Sequence, residues 1–149
     1  FDEILDGYGE GFKRISKSIV VLLMIYTVLE FSIIYPTIPF FVDKILGLGS
    51  NVFTLFASGA LTSLFVPDFQ FVLSLVGSVF KSFSNVNAAA LALQSAFGLI
   101  GFIAPTSLAL VLGLSMLDIK FKDWFKYIWK FVLALLVVIC VILAIVMYI

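Results

Sequence analysis

The apolar sequence is interrupted twice where a lipid-embedded helix tolerates no interruption, at Val66-Pro67-Asp68-Phe69-Gln70 and at Gly101-Phe102-Ile103-Ala104-Pro105-Thr106-Ser107. Hydrocarbon offers no hydrogen-bond partner, so broken backbone at membrane depth must be buried in protein or line a watery cavity. Membrane residence itself follows from composition. Of the 149 residues, 63% are hydrophobic and 12% charged, against about 45–50% and about 25% in soluble domains. No aqueous surface accommodates that much Phe, Leu, Ile and Val, so the expected partner on all sides is the lipid bilayer. The net charge is zero, which leaves no global argument for nucleic acid. Paired broken segments in a polytopic protein point to a transporter's binding site.

Several chemistries are excluded at the start. The chain has no histidine, which removes histidine metal sites, Ser-His triads and histidine proton relays. Its one cysteine, Cys140, lies in the last apolar segment, so no disulfide or thiolate metal site forms within the chain. No enzyme activity and no cofactor are expected, beyond a coupling Na⁺ or H⁺. The sequence begins at Phe1 without a signal-peptide layout, and the expectation is a piece of a longer protein or a processed chain.

Within residues 1–17, Phe1, Ile4, Leu5, Tyr8, Phe12 and Ile15 form an apolar stripe at helical spacing, with the charges mostly opposite. This fits a helix in the membrane interface. A polar linker ending in lysines fits equally, and Gly7, Gly9 and Gly11 weaken the helix. Residues 18–42 form the first expected span, with Glu30 its only charge and Pro36 and Pro39 suggesting a kink or early end near Tyr35. After a loop at 47–51 come two short arms, 52–66 and 69–80, closed by Lys81. Neither reaches the roughly 20 residues needed to cross, so 52–80 reads as a re-entrant hairpin with Pro67-Asp68 at its tip. Residues 85–117 read as one discontinuous helix. In it Ala88, Ala92 and Ala96 make a small-residue ridge for close packing, and the stretch 98–107 is the break. Lys120, Lys122, Lys126 and Lys130, interleaved with Trp124, Tyr127 and Trp129, make 118–130 an interfacial loop, and 131–149 a plain terminal span. The fold class is therefore an all-α integral membrane helical bundle with a re-entrant hairpin and a discontinuous helix.

Basic residues orient it. Lys13, Arg14 and Lys17 precede the first span and the four lysines precede the last. By the positive-inside rule both clusters are cytoplasmic and the C-terminus is extracytoplasmic, in a multi-pass cell (inner) membrane protein. Parity closes equally if the hairpin makes two full crossings, so arm length is what argues for re-entrance.

The candidate chemistry gathers at the breaks. Pro105, Thr106 and Ser107 begin a half-helix whose first turn has free N–H groups and partial positive charge, suited to a carboxylate. Gly98 and Gly101 let the chain unwind before it, freeing carbonyls for Na⁺ or water. Asp68 is a carboxylate at the hairpin tip, and Gln70 adds an amide beside it. A charge at membrane depth is costly and by default functional, although a solvated turn explains Asp68 as well. Glu30, the other intramembrane carboxylate, is a candidate ion-coupling group or one half of a structural ion pair. Gln94, one turn before Gly98, is the best ligand candidate among the helix polar residues. Thr62, Ser63, Ser74 and Asn87 read as interhelical glue.

The stretch 88–98, then Ala104-Pro105-Thr106-Ser107, then Lys122-Asp123-Trp124-Phe125-Lys126-Tyr127, resembles the C-terminal part of YfcC-like carriers, of the C4-dicarboxylate carrier group in the ion transporter superfamily. The resemblance covers about residues 10–135. It implies a secondary carrier of two inverted repeats, with this chain as most of the second and an N-terminal repeat absent from it. It also implies a midplane site for a small organic ion, between hairpin tip and broken helix, reached by alternating access, with a homodimer compatible. Cargoes implied are dicarboxylates, short-chain fatty acids or basic amino acids, in an antiporter among other arrangements. One departure matters. The Ser/Gly-rich tip of the family is replaced here by Pro67-Asp68, which argues for a cationic group or a proton rather than a purely anionic cargo. The alternative from another class is a non-transporting structural or regulatory membrane subunit whose breaks are packing kinks.

Overall fold

The computed structural model describes residues 2–49, 51–80, 83 and 85–148. Lys81, expected to close the second arm, and the neighbouring Ser82 lie outside the described residues, as do the side chains of Arg14 and Lys17. All regular structure among the described residues is helical. In order these are α1 (Asp2–Ile34), α2 (Thr37–Leu46), α3 (Val52–Phe65), α4 (Phe69–Phe80), α5 (Val86–Gly101), α6 (Leu108–Met116) and α7 (Phe121–Tyr148).

Three boundaries differ from the sequence reading. The boundary drawn between segments 1–17 and 18–42 is not a break in the helix. One helix of 33 residues runs through both and stops at Ile34. Pro36 disfavours helical geometry at the residue before it, and Pro39 is then accommodated in the first turn of α2, where its missing N–H has no intrahelical partner to lose. At about 50 Å, α1 is longer than a roughly 30 Å hydrocarbon core. Gly7, Gly9 and Gly11 have open space around them, so the glycine-bearing end of α1 is an exposed extension. The unwinding expected from Gly98 starts later, because α5 stays helical through Gly101 and the non-helical stretch is 102–107. The expected loop 118–130 is mostly helix. Lys120 caps α7 through its carbonyl, which accepts the Asp123 and Trp124 N–H groups at 3.0 and 3.1 Å, so the Lys/Trp segment is the first turns of α7.

The two short arms expected at 52–66 and 69–80 coincide with α3 and α4, and the loop before them with the turn after α2. Asn51 starts α3 through a capping box, its Oδ1 accepting the Thr54 N–H at 2.8 Å while its own N–H donates to Thr54 Oγ1 at 3.2 Å. Asn85 starts α5 in the same manner, accepting from the Ala88 N–H at 3.0 Å.

The centre of the structure is the α3–α5 pair. Ala88, Ala89, Ala92 and Ala96 of α5 are fully buried, Ser58, Gly59, Thr62 and Ser63 of α3 are buried as well, and Gly59 meets Leu93 and Ala96 directly. With side chains this small the backbones approach closely. The three hydroxyls turn back onto their own helix, Ser58 to the Leu55 carbonyl at 2.9 Å, Thr62 to Ser58 and Ser63 to Gly59 at 2.7 Å each. They therefore fill space without leaving a polar atom unpaired. From this pair one apolar cluster extends through Val52 and Phe56 to Ile128, Val132, Ile139 and Leu143 of α7. A second extends through Leu55 and Leu93 to Val42 and Leu46 of α2 and Val76 of α4. Helix α1 packs on α6. Among the described residues α7 is long and apolar enough to span a membrane, and Phe131, Leu133, Val137, Val141 and Ile145 lie exposed on it.

Gly59 tests the central packing. A Cβ there would stand 2.8 Å from Leu93 Cδ2, so Gly59→Ile should overpack the interface by about 1–3 kcal/mol and lower the Tm in detergent. Gly98→Ala adds a methyl to open space inside a helix and should leave the Tm unchanged or raise stability by up to about 1 kcal/mol. A lower Tm for Gly98→Ala would contradict the open face described here.

Candidate functional site

Both helix breaks leave backbone carbonyls without an intrahelical donor, and the structure pairs the Leu64 and Phe102 carbonyls with donors from elsewhere in the chain. Helix α3 ends because Pro67 follows Val66, which takes an extended conformation (φ −110°, ψ 112°). The Val66 N–H still reaches the Thr62 carbonyl at 2.9 Å, but the last carbonyls of a helix have no intrahelical donors. Thr106, 42 residues further along and itself buried, donates its Oγ1–H to the Leu64 carbonyl at 2.9 Å. The centre of one break thus completes the end of the other. Nearby, the Phe69 ring at the start of α4 packs on Phe97 in the last turns of α5, with centroids 5.2 Å apart.

The break in the discontinuous helix is itself structured. Phe102 and Ile103 donate to Leu99 and Ile100 carbonyls at 3.3 and 2.9 Å, Ala104 donates to Ile100 at 2.7 Å, and Ser107 to Ala104 at 3.1 Å. The Phe102 carbonyl accepts from Trp124 Nε1 at 3.0 Å. Sequence reasoning placed Trp124 only in an aromatic belt. The structure gives it a definite partner at the break.

The candidate residues fall into two groups. Around the breaks stand Thr106, Pro105, Ser107, Asp68 and Gln70. Ser107 is half-buried and caps α6 without a side-chain hydrogen bond, so the first-turn N–H groups of α6 keep their donor capacity. Asp68 is exposed, and its Oδ1 accepts the Gln70 N–H at 2.8 Å. It is the N-cap of α4, where a carboxylate satisfies an orphan donor and meets the positive end of the helix. Gln70 supplies that backbone donor while its side chain is exposed. Further away, Gln94 and Gly98 lie exposed on α5, on the face turned from the buried Ala92, Leu93 and Ala96, with Gly101 half-buried. Glu30 is exposed on α1.

Two cavities meet at the break. The first, about 750 Å³, lies between α1, α2 and the end of α3 and is almost wholly apolar, with Met24, Phe31, Phe41 and Phe65 among its walls and Thr106 at the break. The second, about 530 Å³, lies between α1, α6 and the start of α7 and carries Lys13, Ser18, Ser115, Asp118 and Lys120 together with Pro105. Val21 lines both. Adjacent break residues therefore face opposite cavities, and Val21, Pro105 and Thr106 form the partition.

Against known proteins, the family model of the C4-dicarboxylate anaerobic carriers, DcuC, matches residues 2–148. No curated protein and no solved structure matches the chain.

The bond joining the breaks is testable through stability. Thr106→Val keeps the shape but leaves the Leu64 carbonyl without its donor, and should cost about 1–3 kcal/mol, read as a lower Tm in detergent. Thr106→Ser should restore most of it. Equal Tm values for the valine and serine variants would show that the bond carries no stability.

Proposed function

The chain belongs to the C4-dicarboxylate anaerobic carrier family, a family of membrane transporters, and on that premise we propose that it forms the cargo-binding repeat of a secondary carrier for a C4-dicarboxylate. The observation that carries this reading is the Thr106–Leu64 hydrogen bond, which holds two interrupted helices side by side. Such paired interruptions are how secondary carriers build a site at the bilayer midplane. One cargo carboxylate is received by the first-turn N–H groups of α6 and the Ser107 hydroxyl, because that helix end lacks a side-chain cap and favours negative charge. Gln94 and Gln70 supply amide contacts as the carrier closes. An N-terminal inverted repeat supplies the remaining half of the site, and alternating access moves the cargo across. α3 and α4 act as a re-entrant hairpin. Coupling to Na⁺ or H⁺, or exchange for a second dicarboxylate, balances the charge, with the carbonyls near Gly98 and Gly101 and the Glu30 carboxylate as the ion-binding groups to test. The lysines of α1 and α7 lie at the cytoplasmic face and the C-terminus is extracytoplasmic.

In this reading Asp68 shapes the hairpin tip by capping α4. The argument that its carboxylate selects a cationic cargo such as arginine weakens accordingly, since the group is already engaged.

Counterflow in liposomes carrying the full-length carrier decides cargo. Labelled succinate should exchange and labelled arginine should not; the reverse would overturn the dicarboxylate reading. Asn caps helices about as well as Asp, so Asp68→Asn should retain succinate exchange to within about threefold. Complete loss of exchange by a correctly inserted Asp68→Asn carrier would return Asp68 to a proton or cation site. Ser107→Ala should raise the half-saturation concentration for succinate about tenfold, the loss of one hydrogen bond to a charged group.

A further inference from the structure

The 530 Å³ cavity between α1, α6 and α7 is not part of the site at the breaks, yet Pro105 forms one of its walls. Its charged groups come from three places in the chain. Lys13 is on α1, Lys120 precedes α7, and Asp118 lies in the turn between α6 and α7, while Ser18 and Ser115 contribute hydroxyls. Among the described residues, two lysines against one aspartate leave one net positive charge on its walls. Lys13 and Lys120 belong to the two basic clusters of the chain, so the mouth of this cavity is at the face that the positive-inside rule assigns to the cytoplasm. The companion cavity across the partition offers no comparable route for a dianion, because its lining among the described residues is apolar apart from the hydroxyls of Tyr35, Thr37 and Thr106.

The turn that carries Asp118 adds a second observation. Helix α6 ends in a Schellman motif, with the Ile119 N–H on the Leu114 carbonyl at 2.9 Å and the Asp118 N–H on Ser115 at 3.4 Å. The residue at its left-handed position is normally glycine, and here it is Asp118 at φ +58°. A side chain there is disfavoured, and Asp or Asn is tolerated better than most. A carboxylate is thus held in a disfavoured conformation on the wall of a basic cavity.

We infer that this cavity is the cytoplasmic vestibule of the carrier, in which Lys13 and Lys120 concentrate a dicarboxylate next to the Pro105 break and Asp118 limits how tightly it is held. The inference rests on the dicarboxylate reading and adds to it a route of entry and a residue that weakens binding. A cleft lined by one sign of charge raises the local concentration of an oppositely charged substrate, and the effect is screened by salt. Asp118 keeps the vestibule from becoming a trap.

The test is succinate transport by the full-length carrier in liposomes of zwitterionic lipid, at low and at high ionic strength. At low salt Lys13→Gln and Lys120→Gln should each raise the half-saturation concentration about fivefold, the size expected for one charge acting on a dianion across water. Lys120→Arg should stay near the wild-type value. Asp118→Asn, which suits the same backbone conformation, should lower half-saturation by a similar factor. High salt should draw all of these values together. Opposite shifts from lysine and aspartate variants cannot come from general damage to the fold. Unaltered half-saturation in all of the charge variants of an active carrier would overturn the vestibule. So would a lysine effect seen only when anionic phosphatidylglycerol is added to the vesicles, since that pattern assigns the lysines to a lipid headgroup. A wild-type carrier that exchanges no succinate would overturn the dicarboxylate reading and the vestibule with it, a result distinct from unaltered variants of an active carrier.

Discussion

A carbonyl at the end of a helix has water to fall back on at an aqueous surface and nothing in hydrocarbon. The arrangement around the two breaks follows from that constraint. Pro67 stops α3 and strands the Leu64 carbonyl; the Thr106 hydroxyl meets it. The end of α5 strands the Phe102 carbonyl; the Trp124 indole meets it. The Asp68 carboxylate takes one N–H at the start of α4. Each bond joins a break to another part of the chain or closes it on itself, while the N-terminus of α6, at the second break, keeps its first-turn N–H groups without a side-chain cap. The asymmetry is chemically informative, because a stop that is fully satisfied is architecture, whereas one that keeps donors in reserve can receive an anion.

The bonds between elements can form because the helices that bear them lie close. Alanine on α5 and glycine, serine and threonine on α3 bring the two backbones together without polar cost, since the Ser58, Thr62 and Ser63 hydroxyls are each satisfied within α3. Larger side chains along this seam would push α3 from α5 and carry Leu64 out of reach of Thr106. Packing that looks generic therefore sets the distance on which the site depends.

Much of this was legible in the sequence, and the parts that were not share a cause. Pro67 and the short arms around it located α3, α4 and the turn between them because proline acts on its immediate neighbours. The alanine ridge located the α5 seam because small residues at helical spacing have few other uses in a membrane protein. What depended on a partner distant in sequence was hidden. Trp124 carried the composition of an interface and gave no sign of its bond to Phe102. Asp68 could be read as a buried charge or a turn residue, and its hydrogen bond to the Gln70 N–H favours the capping role. The lysine-rich segment before the last span looked like a loop because its charges outweighed its helix propensity, and the Lys120 cap that starts α7 is a matter of backbone geometry. Gly98, read as the start of an unwound stretch, remains in helix, because a glycine permits a break without causing one.

The Trp124 bond has one more consequence. Helix α7 is 28 residues, about 42 Å if straight, and a helix longer than its bilayer is thick responds to a thinner membrane by tilting. Because Trp124 is in the first turn of α7 and its indole holds the Phe102 carbonyl, that tilt has to carry the interruption between α5 and α6 with it or lose the bond. The thickness of the surrounding lipid is thereby tied to the posture of the partition between the two cavities.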